Sequence, residues 1–399
     1  MADTIKIGSL DISAFKVGGT DCSIYLGSVK LYPNEPPTPH DYSQDYFTIV
    51  SEEDNNTISL ENTGYSTSSS SNALWKSVVI SASTDGGSTW SEFTTSRNGT
   101  ATFGTINKGD KILLKSTTTK FANTNSAYHY FNSTKNINAE GNILSLIYGD
   151  TFLSYDSLPT ISSKEQNRTQ QLGCIFKNNT KIISAKNLIL KPTTLRPRCY
   201  ANMFDGCTSL TVAPDLPATT TDTYSYQSMF QGCTSLTAAP TSIGASSTTI
   251  ASFCCYGMFS GCTSLTTAPQ LPAMALSKNC YSIMFKGCTS LTTAPQLPAT
   301  TLVSGCYSSM FRDCTSLTAA PDLLATTLSN TCYNYMFYGC SNLSTITCLA
   351  TDISASFCTT NWVNGVAASG TFTKASSMND WTTGVEGIPS GWSVQNYSE

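Results

Sequence analysis

Five pairs of cysteines, Cys199/Cys207, Cys254/Cys262, Cys280/Cys288, Cys306/Cys314 and Cys332/Cys340, sit eight residues apart and are the groups in this chain best suited to chemistry. Thiols at such spacing can ligate zinc, bridge to one another, or lie buried as small hydrophobes. Zinc is disfavoured, because there is no Cys-x-x-Cys and no histidine among the pairs to complete a tetrahedral set. Bridging is not obligate either, since Ser225 replaces the first cysteine of one copy while Cys233 remains. In another copy Cys255 follows Cys254 directly, in a slot that other copies give to tyrosine. The pattern predicts ladders of buried thiols, with no metal and no cofactor.

Catalytic constellations are sparse. The two histidines, His40 and His129, fall outside the cysteine-rich region, and no nucleophile elbow, P-loop or His-Glu-x-x-His run occurs. Glu52-Glu53-Asp54 could flank a sugar ring, but neighbouring residues on a turn point apart rather than at one bond. Gly18-Gly19 and Asp85-Gly86-Gly87 lack the strand-then-helix setting of a phosphate loop and read as turns. No enzymatic activity is expected.

The cysteines belong to a repeat, Cys-Tyr-x-x-Met-Phe-x-Gly-Cys-Thr-Ser-Leu-Thr-x-Ala-Pro. Its phenylalanines, Phe204, Phe230, Phe259, Phe285, Phe311 and Phe337, are 26, 29, 26, 26 and 26 residues apart. Units of that length cannot bury their own apolar faces and must stack. At about 100° per residue, Cys, Tyr, Met, Phe and the second Cys share one arc, which predicts a short helix followed by a short Ser-Leu-Thr strand. Outside that arc fall Ser282, Ile283, Lys286, Ser308, Ser309, Arg312, Asn334, Tyr335 and Tyr338, which vary between copies and form the candidate recognition surface. The strand positions Thr211/Ala213, Thr237/Ala239, Thr266/Ala268, Thr292/Ala294 and Thr318/Ala320 make a uniform face that suits a repetitive ligand or lateral packing. Tyr200, Tyr226, Tyr281, Tyr307 and Tyr333 form a column at the arc's edge, read as packing in preference to carbohydrate stacking.

The expected architecture is multidomain. Residues 1–32 make a small N-terminal β module, with hairpin turns at Gly18-Gly19 and Gly27-Ser28, and 33–44 a proline-rich linker. Residues 45–150 make a β-sandwich-like domain, from runs at 46–50, 75–81, 90–94 and 111–115. An α/β leucine-rich-repeat solenoid follows over 151–353, with an atypical first repeat or cap at 151–198, and then a C-terminal cap at 354–399. Charged residues are 12% of the 399 and the net charge is −4, which argues against nucleic acid and anionic membranes as partners. The opening MADTIKIGSL lacks a secretory pattern, and no run of 18 apolar residues suggests a membrane span.

The repeat resembles bacterial leucine-rich repeats of the BspA, or Treponema pallidum, type over residues 173–353, through the aromatic-x-Gly-Cys-x-x-Leu core and the proline that follows. The flanks at 140–150 and 362–392 are similar to those of such proteins in gut Bacteroidales and their phages. Ile24, Tyr25, Leu26, Leu31 and Tyr32 resemble a short attachment module of phage tail and fibre proteins. Together these resemblances imply a phage virion structural protein, a fibre, tail appendage or head decoration, on the virion surface. Its N-terminal module would dock on other virion proteins, and its repeats would adhere to a bacterial surface protein or gut glycan. A homo-oligomer such as a trimer is implied by the same resemblance, although no sustained heptad accompanies it. A secreted bacterial adhesin is the alternative, and a capsule depolymerase would need a carboxylate pair facing a groove.

Overall fold

A computed structural model describes residues 5–7, 10–12, 24–26, 29–32, 40–63, 78–95, 99–124, 127–160, 170–241, 243 and 249–398. Residues 1–42 and 43–399 are separate compact units. In the first, β1 (Ile5–Ile7) pairs antiparallel with β2 (Leu10–Ile12), and β3 (Ile24–Leu26) with β4 (Val29–Tyr32). The expected turns at Gly18-Gly19 and Gly27-Ser28, the stiff linker at 33–39, the polar loop at 68–71 and most of the insertion at 242–249 lie outside the described residues.

The second unit begins with two sheets. Their strands are β5 (Phe47–Ser51), β6 (Asn56–Asn62), β7 (Val79–Ser83), β8 (Ser91–Thr94), β9 (Thr100–Ile106), β10 (Lys111–Lys115), β11 (Ala122–Thr124), β12 (Ala127–Ser133), β13 (Ile137–Asn142) and, after a short helix α1 (Ser145–Tyr148), β14 (Ile182–Ile189). One sheet runs β14-β13-β5-β10-β7-β8 and the other β11-β12-β6-β9. β5 is central in its sheet and buried at every position, whereas β10 buries only Ile112 and Leu114 of its alternating residues. Phe47 of one sheet meets Phe131 of the other with ring centroids 5.3 Å apart, and Phe176 packs on both.

Phe176 starts a second structure. β14 pairs parallel with β13, and Ser184 on β14 is bridged to Val212 in the first clean copy of the repeat, so the sheet of the β domain continues into the repeats. At the far end β15 (Thr345–Cys348), β16 (Thr371–Lys374) and β17 (Ser393–Asn396) form a parallel three-stranded sheet. Trp362 and Trp392 are buried there, and their indole N–H groups donate to the carbonyls of Gly387 and Ala367.

The α/β leucine-rich-repeat solenoid expected from the sequence is not what the chain forms. The described structure is sheets and turns, and its one short α-helix, α1, lies before the repeats. The supposed helix is instead a flat ribbon of overlapping turns. Within it the amides of Ala201, Met203, Asp205 and Cys207 each donate to the carbonyl three residues back. The alternate amides of Tyr200, Asn202, Phe204 and Gly206 donate to the next copy, at Ser225, Gln227, Met229 and Gln231. Every fourth residue has positive φ, as at Arg198, Asn202 and Gly206, or Asn279, Ile283 and Gly287. A turn of type II demands that at its third residue.

The physical reason for the error is a near-coincidence of periods. Offsets of 0, 1, 4, 5 and 8 lie on one face at a period of 3.6 and also at a period of four. The recurrent glycine decides between them. At Gly206, Gly232, Gly261, Gly287 and Gly339 it adopts positive φ, and Asp313 takes the same conformation in its place, in keeping with the tolerance of Asp and Asn for that region.

The two readings predict opposite signs for one substitution. Gly287 has φ +74°, and a Cβ added there would meet nothing nearer than Gly261 at 3.8 Å, so backbone strain is the main consequence. Gly287→Ala should cost about 1–2 kcal/mol in urea unfolding and Gly287→Asn distinctly less. A helix would instead gain about 1 kcal/mol from the alanine, and that outcome would refute the ribbon.

Candidate functional site

The thiols are committed to structure. The fifteen described cysteines are free and buried. The second cysteine of each copy donates its thiol to the phenylalanine carbonyl of the copy before: Cys233 to Phe204 at 3.1 Å, Cys262 to Phe230 at 3.0 Å, Cys288 to Phe259 at 3.1 Å and Cys314 to Phe285 at 3.1 Å. Each carbonyl also accepts the amide of the second cysteine in its own copy. Burial pushes the thiols of Cys233, Cys262, Cys288 and Cys314 well above their ordinary range and those of Cys280, Cys306, Cys332 and Cys340 up to about 12. They therefore keep the proton that the hydrogen bond needs. Among the described residues no group of three metal-ligating side chains is assembled.

The aromatic columns are equally committed. From Phe176 to Phe337 successive phenylalanine rings stack 5.3–5.8 Å apart and within 9° of parallel. The tyrosines at the supposed edge of the arc are at most 2% exposed. Tyr281, Tyr307 and Tyr333 stack on one another and end on Trp362, while Cys255 interrupts the column between Tyr226 and Tyr281.

The polar clusters singled out in the sequence are dispersed. Glu52 accepts from the Asn138 amide, Glu53 from the Asn136 N–H and Asp54 from the Lys108 N–H, so the three carboxylates fasten three different groups and face no common bond. Asp85 caps its own turn through Ser83 and Thr89, which holds its pKa down to about 2. His129 is fully buried beside Thr95, and desolvation pushes its pKa down to about 4, which keeps it neutral. The side chains of the docking residues Ile24, Tyr25, Leu26, Leu31 and Tyr32 lie outside the described residues, although their backbones form β3 and β4.

Of the nine candidate recognition residues, the structure gathers three. Arg312 of the fifth copy places its guanidinium 4.8 Å from the ring of Tyr338 and 5.5 Å from that of Tyr335, both in the sixth copy. The Tyr335 hydroxyl accepts from Asn361, and Asp313 lies 3.4 Å from the Arg312 Nε. Ser282 and Ser309 do not face solvent; they are 5% and 9% exposed, because neighbouring copies stack too closely to leave the intervening row open. The Ser282 and Ser308 hydroxyls donate to the carbonyls of Ser308 and Asn334. Ile283, Lys286, Ser308 and Asn334 are half-buried.

Sequence reasoning missed two further clusters. Arg198 lies 3.9 Å over Tyr224, whose ring stacks 4.7 Å from Phe253. These residues occupy the positive-φ position before the first cysteine, a row that an assumed helix gives no reason to align. In the β domain Lys115 lies 3.9 Å over Trp90 and 2.6 Å from Asp150, which also accepts from Tyr46. The Thr/Ala face carries two grooves, of about 690 Å³ over the third and fourth copies and about 340 Å³ over β14 and the first two.

Comparison with known proteins finds no matching family model, no matching curated protein and no matching solved structure. No described helix is long and apolar enough to cross a membrane.

The buried thiols give the stack a one-sided response to pH. The folded pKa values of Cys280, Cys306, Cys332 and Cys340 lie above the unfolded value of about 9, so their contribution is complete below about pH 9 and is lost as pH rises toward about 12. Urea midpoints measured from pH 7 to 11 should be level to about 9 and then fall steeply, with thiol reagents reacting only as the chain unfolds. Midpoints unchanged at pH 11, or rapid labelling of native protein, would contradict this burial.

Proposed function

We propose that this chain is a non-enzymatic structural protein of a phage virion surface, a fibre, tail appendage or head decoration. On this reading its repeat stack displays a recognition surface for a bacterial surface protein or glycan, and the N-terminal hairpins dock it on the particle. The observation that carries the proposal is the joining of Arg312, Tyr335 and Tyr338 from two successive copies into one half-exposed patch. Arginine and tyrosine are the residue types that most often dominate binding energy at interfaces. Flat phenol faces accept apolar ligand faces while hydroxyl and guanidinium groups supply directional bonds. Support also comes from the variation of these positions between copies, set on a framework whose thiols and stacked rings are occupied in packing. The likeness of the flanks and of residues 24–32 to phage proteins supports the location.

Mass spectrometry of purified particles should recover the chain at a fixed ratio to the capsid protein. Purified Arg312→Ala/Tyr338→Ala protein should bind host cells at least tenfold more weakly than the parent while keeping its unfolding midpoint within a few degrees. A chain absent from particles would contradict the location, and unchanged cell binding by the double variant would contradict the surface.

A further inference from the structure

The outer segments of the repeats are joined by a ladder of parallel bridges, from Ser184 to Val212, Val212 to Ala238, Ala238 to Thr267, and, beyond a gap, Ala319 to Thr345. Among the described residues no bridge joins Thr267 to Thr293 or Thr293 to Ala319. Residues 292–298 of the fourth copy make no backbone hydrogen bond, whereas the matching segments of the second, third and fifth copies do. The break is local. On the ribbon side the third, fourth and fifth copies remain joined, Phe259 to Met284 at 2.9 Å and Phe285 to Met310 at 2.9 Å, and Ala275 is bridged to Thr301.

The larger groove opens at this break. Its walls are Thr266–Pro272 in the third copy and the corresponding segment of the fourth, with threonine, alanine, proline, glutamine and leucine side chains and no charge. Thr292, Thr293 and Gln296 are exposed, while Leu297 is buried and anchors the segment. Proline has no N–H, but Thr292, Thr293, Ala294, Gln296 and Leu297 retain theirs, and every residue retains its carbonyl. The fold itself shows what such a segment accepts. On the fifth copy, the ladder position left unpaired beyond Thr267 of the third is taken by β15, Thr-Ile-Thr-Cys, which is joined through Ala319 and Thr345.

We infer that the opening between the third and fourth copies is a binding site for an uncharged, extended polypeptide strand, which adds to the outer ladder through the unpaired main chain of residues 292–294. Main-chain pairing supplies the attraction, as in other strand additions, and the alternate small side chains select for a neutral strand. Because no charge lines the groove, binding is insensitive to salt. This site is separate from the Arg312 patch and does not depend on the chain's being a virion protein.

The test uses the full chain and a fluorescent synthetic peptide with the sequence of residues 342–350, carrying Cys348→Ser. Saturable binding is expected, unchanged between low and moderate salt, with slowed amide exchange at Thr292, Thr293 and Ala294. A peptide N-methylated at its central threonine and isoleucine should bind at least tenfold more weakly, and Thr293→Pro protein should show a similar loss. The methylated peptide keeps the test valid even if the proline variant misfolds. The inference is overturned if the peptide does not bind, if both peptides bind equally, or if the three amides are already protected in free protein. Protection of those amides by a neutral dextran oligosaccharide but not by the peptide would assign the groove to a saccharide instead.

Discussion

Each copy of the repeat is joined to the next through its turn ribbon, in which the phenylalanine carbonyl accepts two hydrogen bonds in one copy after another. That oxygen takes the amide of the second cysteine in its own copy and the thiol of the second cysteine in the following copy. The thiol fills the second acceptor site of a carbonyl that already holds an amide, and a buried hydrogen bond of this kind contributes about 0.5–1.5 kcal/mol. Cysteine suits the position because it is small and apolar and still donates. The spacing set by this contact also brings successive phenylalanine rings face to face, and the stacked column forms the core of the repeats.

The same constraint explains the positive-φ row. Alternate amides can point at the next copy only if the chain reverses its curl every two residues, and that forces every fourth residue into a conformation most L-residues avoid. Ile283 and Thr331, both β-branched, are held there at φ 50° and 56°. Such strain persists only when the surroundings over-determine it, here through ladders on both sides. Among the positions that vary between copies and stay partly exposed, Arg312, Tyr335 and Tyr338 converge.

The sequence made some of this legible. Cysteine spacing and the loss of one cysteine to Ser225 pointed to buried unbridged thiols, and the run at 111–115 coincides with β10. Phe176, 28 residues before Phe204, stacks on that ring and begins the phenylalanine column. The local conformation was misread, since five apolar positions in nine satisfy a helix and a four-residue turn period alike. Asn202 and Ser228, together with the glycine four residues after each, carried the missing signal. The Arg198, Tyr224 and Phe253 cluster was hidden for the same reason. The break in the outer ladder has no sequence signature, because the third and fourth copies read identically as Thr-Thr-Ala-Pro-Gln-Leu-Pro.

The thiol-to-carbonyl contact can be observed directly through the infrared S–H stretching band of the native protein. Donation by the second cysteines of successive copies predicts a red-shifted band that loses intensity stepwise as Cys262, Cys288 and Cys314 are changed to alanine, one after another. A single band at the frequency of a free thiol, unaffected in position by those substitutions, would contradict the interaction on which this account of the stack rests.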